Sequence, residues 1–315
     1  MTLKISFIPL AAICLCLLLG SADALPRRGM MLATQVDAGN LGATQQVVQR
    51  DINAIADAGG NIVRLPVYFA WQPSTNWWIG LADAAFATCH ARGVNLVIDF
   101  HWPGNQPNST ITDESDFVRK WERFASHFAG KPRDRINIWY DLCNEPNGRN
   151  PSGWPAVALK AAQTIRRYDT QSRIVYAYQG VTIPGTISSS FRPLTGISNQ
   201  IVEFHFYNWN ALQFDLTGSA VRYPDVVRGF TKAKMQEILV KVRDFGNRYG
   251  VPVYVGETAI FRGHLDAPAF LTDFTSVCDE MGVHLTLHAF RESAEWNYEL
   301  NPNAWSVITN WLRRR

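Results

Sequence analysis

Two glutamates stand at the ends of apolar runs. Residues 136–147 read I-N-I-W-Y-D-L-C-N-E-P-N, and residues 251–260 read V-P-V-Y-V-G-E-T-A-I. Runs rich in Ile, Val, Trp and Tyr that stop at turn-forming residues read as buried strands whose last residues emerge into loops. Glu145 and Glu257 are therefore expected at two strand tips. A carboxylate at the mouth of an apolar core is poised for acid-base work, and two in matching positions suggest the pair that cleaves glycosidic bonds. Either glutamate alone reads equally well as the exposed start of a loop.

Such tips need a scaffold that aims them at one place. From Arg28 onward, strand-like and helix-like segments alternate, the pattern of parallel βα units. Strands are expected near residues 29–36, 61–67 and 94–101, in the run ending at Glu145, at 173–179 and 201–207, in the run carrying Glu257, and at 283–290. Helices are expected over 44–58, 81–91, 114–129, 155–168, 231–249, 267–281 and 305–312, with a long helix-poor loop after residue 179. Eight strands in this length predict a single (β/α)8 TIM barrel, whose chemistry sits at the carboxyl ends of its strands.

The chain of 315 residues begins with Lys4, an apolar segment over 5–20 and the small residues Ala22-Asp23-Ala24. That is the layout of a secretory signal peptide over residues 1–24, cleaved after Ala24, and it leaves 25–315 as the barrel domain. The segment is short for a bilayer span and is interrupted by Pro9, so no membrane anchor is expected after cleavage. The mature protein is expected to be secreted, extracellular or periplasmic. Cleavage leaves Cys89, Cys143 and Cys278, an odd number with no metal-binding spacing, which reads as buried free thiols. The formal charge of +3 is spread without stripes, and Arg313-Arg314-Arg315 suits a helix C-terminus, so no nucleic-acid partner is expected. No linker, repeat or low-complexity tract suggests an appended module. Asn108-Ser109-Thr110 fits an N-glycosylation acceptor.

The chain resembles glycoside hydrolase family 5, the cellulase family, across essentially residues 28–312. The most specific motif is D-L-C-N-E-P at residues 141–146, in company and in order with R-L-P at 64–66, D-F-H at 99–101, H-F-Y at 205–207 and G-E-T at 256–258. The resemblance implies that Glu145 is the general acid/base and Glu257 the nucleophile, on the fourth and seventh strands. It pairs Arg64 with Glu257, gives Asn144 the sugar 2-hydroxyl, sets Tyr207 near the nucleophile with His205 orienting the carboxylates, and lines the adjoining sugar subsite with His101. Glu145 is expected to keep its proton against a less polar wall, and truncation of Arg64 to harm turnover far more than stability. Adjacent residues of a regular strand point to opposite faces, so Asn144 and Glu145 can both reach a substrate only through a twist or bulge.

One departure stands out. The family ends its eighth strand with a tryptophan that floors the central sugar site, whereas residues 284–292 read H-L-T-L-H-A-F-R-E. Trp296 is expected to fold back into that place, with His288 or Phe290 as the alternatives. Trp71, Trp77, Trp78, Trp102 and Trp209 are placed on loops after strands, where indoles stack on the apolar faces of pyranoses; Trp121, Trp139, Trp305 and Trp311 are expected in the core.

The resulting expectation is a secreted, retaining hydrolase that cuts internal β-linkages of a polysaccharide or oligosaccharide, β-1,4-glucan first, with mannan, xyloglucan or another β-glucan as alternatives. It is expected to act as a monomer with no cofactor and no metal. Two other classes compete with it: a metal-dependent barrel hydrolase using Asp99, His101 and His205, and a sugar-binding barrel without catalysis. The first lacks an H-x-H or H-E-x-x-H pattern, and the second is disfavoured by the two glutamates.

Overall fold

The computed structural model describes residues 26–33, 44–104, 109–147 and 153–314, so the signal segment and Asn108 lie outside the described residues. Strands β1 (Arg28–Leu32), β2 (Ile62–Tyr68), β3 (Asn95–Trp102), β4 (Ile138–Asp141), β5 (Arg173–Ala177), β6 (Gln200–His205), β7 (Val253–Glu257) and β8 (His284–Phe290) pair in parallel and in chain order. β8 closes on β1, which completes the expected (β/α)8 barrel. Around it run α1 (Gln45–Asp57), α2 (Thr75–Arg92), α3 (Glu114–Phe128), α4 (Trp154–Arg166), the short α5 (Asn210–Gln213), α6 (Lys232–Tyr249), α7 (Ala267–Met281) and α8 (Pro302–Leu312). No helix joins β5 to β6, as the helix-poor stretch predicts. No helix among the described residues is long and apolar enough to cross a membrane.

Local signals set most boundaries. Thr44, Asp113, Thr231 and Asn301 each accept a backbone N–H at the start of a helix, satisfying a donor that has no partner within it. Ser74 does the same for α2, which therefore starts at Thr75 rather than near 81 and takes Trp77 and Trp78 out of the expected loop. The three cysteines are free and buried, as read from their number and setting.

The strands face two cores. Outside the barrel, strand and helix side chains interlock; Trp121 of α3 lies flat on Phe100 of β3 with ring centroids 3.7 Å apart. Inside, the alternation of side chains builds layers. Ile62, Val97, Trp139, Val175, Ile201 and Tyr254 form a dry floor from six consecutive strands. Two residues further along the same strands come Arg64, Asp99, Asp141, Ala177, Glu203 and Gly256. The interior thus passes in one step from apolar to densely charged.

Gly256 belongs to this layer for lack of a side chain. A Cβ there would lie 1.6 Å from Oε1 of Glu203. Gly256→Ala is expected to lower stability by about 1–3 kcal/mol through overpacking. A denaturant midpoint equal to that of the parent protein would show that Glu203 does not fill this space.

Candidate active site

Arg64 is the hub of the charged layer and is 0 % exposed. Its Nε donates to Oδ2 of Asp141 at 3.0 Å, and its Nη2 lies 3.1 Å from Oδ2 of Asp99 and 3.6 Å from Oε1 of Glu203. Nη2 also donates to Oδ1 of Asn144 at 3.1 Å, while Nη1 reaches Oε1 of Glu257 at 2.5 Å. A planar fork of five donors can serve partners from four other strands at once, which a lysine cannot. Burial alone would weaken the hold of Arg64 on its proton, but Asp99, Glu203, Asp141 and Glu257 outweigh it and keep the guanidinium charged. Burial likewise pushes the Glu257 carboxyl up, yet His205, Arg64, His101 and His288 together hold it well below the usual carboxylate range. The expected contact between Arg64 and Glu257 is present, and Tyr207 Oη donates to the other oxygen of Glu257 at 3.2 Å.

Glu145 reaches the same space by a different route. β4 stops at Asp141 and the chain turns, with Glu145 at φ 39°, in the left-handed region that costs a residue with a Cβ about 1–3 kcal/mol. That turn, rather than a twist within the strand, lets both Asn144 and Glu145 face the cleft. Glu145 keeps a quarter of its side chain exposed, and its Oε1 lies 2.7 Å from Nδ1 of His205. The less polar wall expected for Glu145 is thus replaced by an imidazole. A register shift in β6 between Phe204 and His205 sets His205 opposite Glu257. Burial lowers the proton affinity of His205, but Glu257, Glu145 and Glu203 raise it well above the ordinary histidine range.

Glu145, His205 and Glu257 each offer an atom within 4.8 Å of the other two, the only such metal-sized triplet among the described residues. The trio of Asp99, His101 and His205 is not assembled in that way. Asp99 instead takes Nδ1 of His101 at 2.7 Å, and Nε2 of His101 lies 3.2 Å from Nδ2 of Asn144. With Oδ1 of Asn144 bound to Arg64, the amide has one orientation open to it.

Aromatic walls flank the carboxylates. On one side Tyr68 stacks on Trp71 at 4.4 Å and meets His101 at 4.8 Å and Trp102 at 5.0 Å. On the other, Trp296 stands edge-on to His288 at 5.8 Å, and Nδ1 of His288 is 3.7 Å from Oε2 of Glu257. Trp296 therefore borders the cleft, whereas Phe290 is buried against Trp305 and drops out as an alternative. Trp209 corrects the sequence reading: it is 5 % exposed, covered by Phe206, Tyr223, Phe230 and Phe270, and so offers no face to a sugar. Trp78 is likewise core, with its indole N–H donated to the Gln72 carbonyl.

Sequence reasoning missed Glu203, Asp141 and Glu292 as members of the site. Glu203 carried a signal, a lone acid two positions before His205 in an otherwise apolar strand. Glu292 pairs with Nε2 of His288 at 2.7 Å.

With this geometry in hand, the chain is a member of the Cellulase family, glycosyl hydrolase family 5, whose model matches residues 31–275. Endoglucanase MaCel5A of Microbulbifer sp. is 27 % identical over 124 residues, 37 % of this chain and 23 % of that protein. Endoglucanase C of Acetivibrio thermocellus is 24 % identical over 180 residues, 51 % of this chain and 50 % of that protein. The chain thus spans half or less of the length of these relatives. Among solved structures, Thermotoga maritima Cel5A in complex with mannotriose has a TM-score of 0.70 at 18 % identity, covering 90 % of this chain and 97 % of that one. ZgEngAGH5_4 in complex with cellotriose has a TM-score of 0.71 at 16 % identity, covering 91 % and 96 %. These likenesses share the barrel.

The burial of Arg64 revises the effect of removing it. Arg64→Ala would take the shared cation from Asp99, Asp141, Glu203 and Glu257, so a loss of about 3–5 kcal/mol in stability is expected together with the loss of turnover. A melting temperature unchanged from the parent would contradict the hub.

Proposed function

We propose that the protein is a retaining endo-β-glucanase, with β-1,4-glucan as its first substrate, exported after cleavage behind Ala24 and acting as a monomer. One observation carries the reading: a carboxylate held ionised by Arg64 faces a second carboxylate whose oxygen lies within 4.8 Å of it. That approach suits the spacing of roughly 5 to 5.5 Å between carboxyl groups in retaining enzymes and not the 6.5 to 9.5 Å of inverting ones.

In this reading Glu257 attacks the anomeric carbon while Glu145 gives its proton to the departing sugar oxygen. Glu145 then takes a proton from the water that releases the glycosyl-enzyme. Asn144, its amide fixed by Arg64 and His101, meets the 2-hydroxyl, where a contact strengthens as the oxocarbenium-like state forms. His101 and Trp102 line the adjoining subsite, Tyr207 and His205 orient the two carboxylates, and Trp296 beside His288 supplies the sugar platform. A mannan substrate is the second reading, supported by the mannotriose bound in the Thermotoga maritima neighbour. Product sizes from a panel of β-glucans, mannan and xyloglucan separate the two; monosaccharide as the sole product from every polymer would sink the endo mode.

Kinetics distinguish the glutamates. Glu145→Ala is expected to lower the rate on a natural glycan by roughly 10² to 10⁴, and to slow glycosylation much less with an aryl glycoside whose phenolate leaves unaided. Added azide should restore turnover of that variant with a β-glycosyl azide as product. Glu257→Ala should fail on both substrates and yield only the α-azide. The opposite pairing of azide and variant would reverse the roles.

A further inference from the structure

Beneath the two proposed catalytic carboxylates lies a third that their chemistry does not use. Glu203 is 0 % exposed, and neither of its oxygens has a well-formed hydrogen bond. The basic groups beside it are Nε2 of His205 at 3.5 Å and Nη2 of Arg64 at 3.6 Å. Glu203 and His205 are two apart on β6 and point into the same interior, so the imidazole stands between Glu203 on its Nε2 side and Glu145 on its Nδ1 side. Room for the buried carboxylate exists because Gly256 has no side chain. A buried acid in an apolar strand, given space by a glycine on the next strand, is a costly arrangement unless its charge acts on something.

We propose that Glu203 is a positioning residue that acts through His205 on Glu145, an inference that rests on the function proposed above. Its carboxylate keeps a proton on Nε2 of His205, so that Nδ1 and Oε1 of Glu145 share one further proton. With that proton on Glu145, neutral Nδ1 accepts the hydrogen bond and the residue is the acid. When the proton has gone to the leaving sugar oxygen, Glu145 is the base, and it regains a proton from the attacking water. A buried carboxylate orienting an imidazole and stabilising its charged form is the logic of a catalytic triad, turned here on a carboxyl rather than a hydroxyl. The other titratable or charged groups facing Glu203, His205 and Glu145 are Arg64 on β2, Asp99 on β3, Asp141 on β4, Cys143 beyond it, Tyr207 just past β6, and Tyr254 and Glu257 on β7. Arg64 favours loss of the shared proton, and the carboxylates favour its retention.

The test is the pH profile of kcat/KM for the parent, E203Q and E203D on a soluble β-glucan. Taking away a negative charge lowers the proton affinity of the His205 and Glu145 pair, so the basic limb of E203Q should fall by about one pH unit. E203D keeps the charge and should return the limb toward the parent value. A uniform drop in kcat with the limb unmoved would reduce Glu203 to a packing role and overturn the proposal. Should E203Q fail to fold, ¹⁵N imidazole spectra of the free parent protein decide the matter. Nε2 of His205 carrying hydrogen across the neutral range is expected, and a neutral ring with hydrogen only on Nδ1 would overturn it. A parent protein that cleaves no β-glucan would sink the functional reading and leave the spectra still able to judge Glu203.

Discussion

A single buried guanidinium inside the barrel holds the site together. Arg64 meets Asp99, Asp141, Glu203 and Glu257 within 3.6 Å, one step above a floor of apolar side chains. Charges this deep are costly unless an opposite charge stands beside them, so the position of each acid is tied to the one guanidinium they share. His205, Arg64, His101 and His288 hold the Glu257 carboxyl well below its usual range, and Asn144 has one orientation because Arg64 occupies its oxygen. The excess of acid in the layer also has a consequence. Burial, Glu203 and Asp99 push the Asp141 carboxyl well above its usual range, against the pull of Arg64 beside it.

The two proposed catalytic glutamates differ in how they are held. Glu257 ends a regular strand and is locked on both oxygens by Arg64 and Tyr207. Glu145 sits past the end of β4 in a left-handed turn, a quarter exposed, with His205 as its partner. A nucleophile that must stay ionised and in place, opposite a residue that must gain and lose a proton at the cleft edge, asks for this difference. The link between them is His205, within reach of both and of the buried Glu203.

Much of this was legible in the sequence, and the residues show why. The barrel, the two strand-end glutamates and the contact from Arg64 to Glu257 follow from apolar runs, their terminators and the family motifs. The start of α2 differs from the sequence expectation because Trp77 and Trp78 have the character of loop aromatics, although Ser74, three positions before Trp77, is a capping residue. Trp209 follows a strand, yet its ring is covered by Phe206 and by Tyr223, Phe230 and Phe270 from further along the chain, which a local reading does not bring together. Glu203 is not legible as a site residue because a strand pattern says which face a residue is on, while only packing reveals that Gly256 leaves space for it.

The proposed function turns on Glu257, held ionised by His205 and Arg64, forming a covalent bond to the sugar. The direct measurement is to incubate the protein with 2,4-dinitrophenyl 2-deoxy-2-fluoro-β-cellobioside, whose fluorine slows the release of a glycosyl-enzyme, and to locate the adduct by peptide mass spectrometry. The expected result is release of one equivalent of dinitrophenolate and a fluorocellobiosyl mass on the peptide that carries Glu257. The same mass on the peptide of Glu145, or an active protein that yields α-configured product and no adduct, would contradict the account.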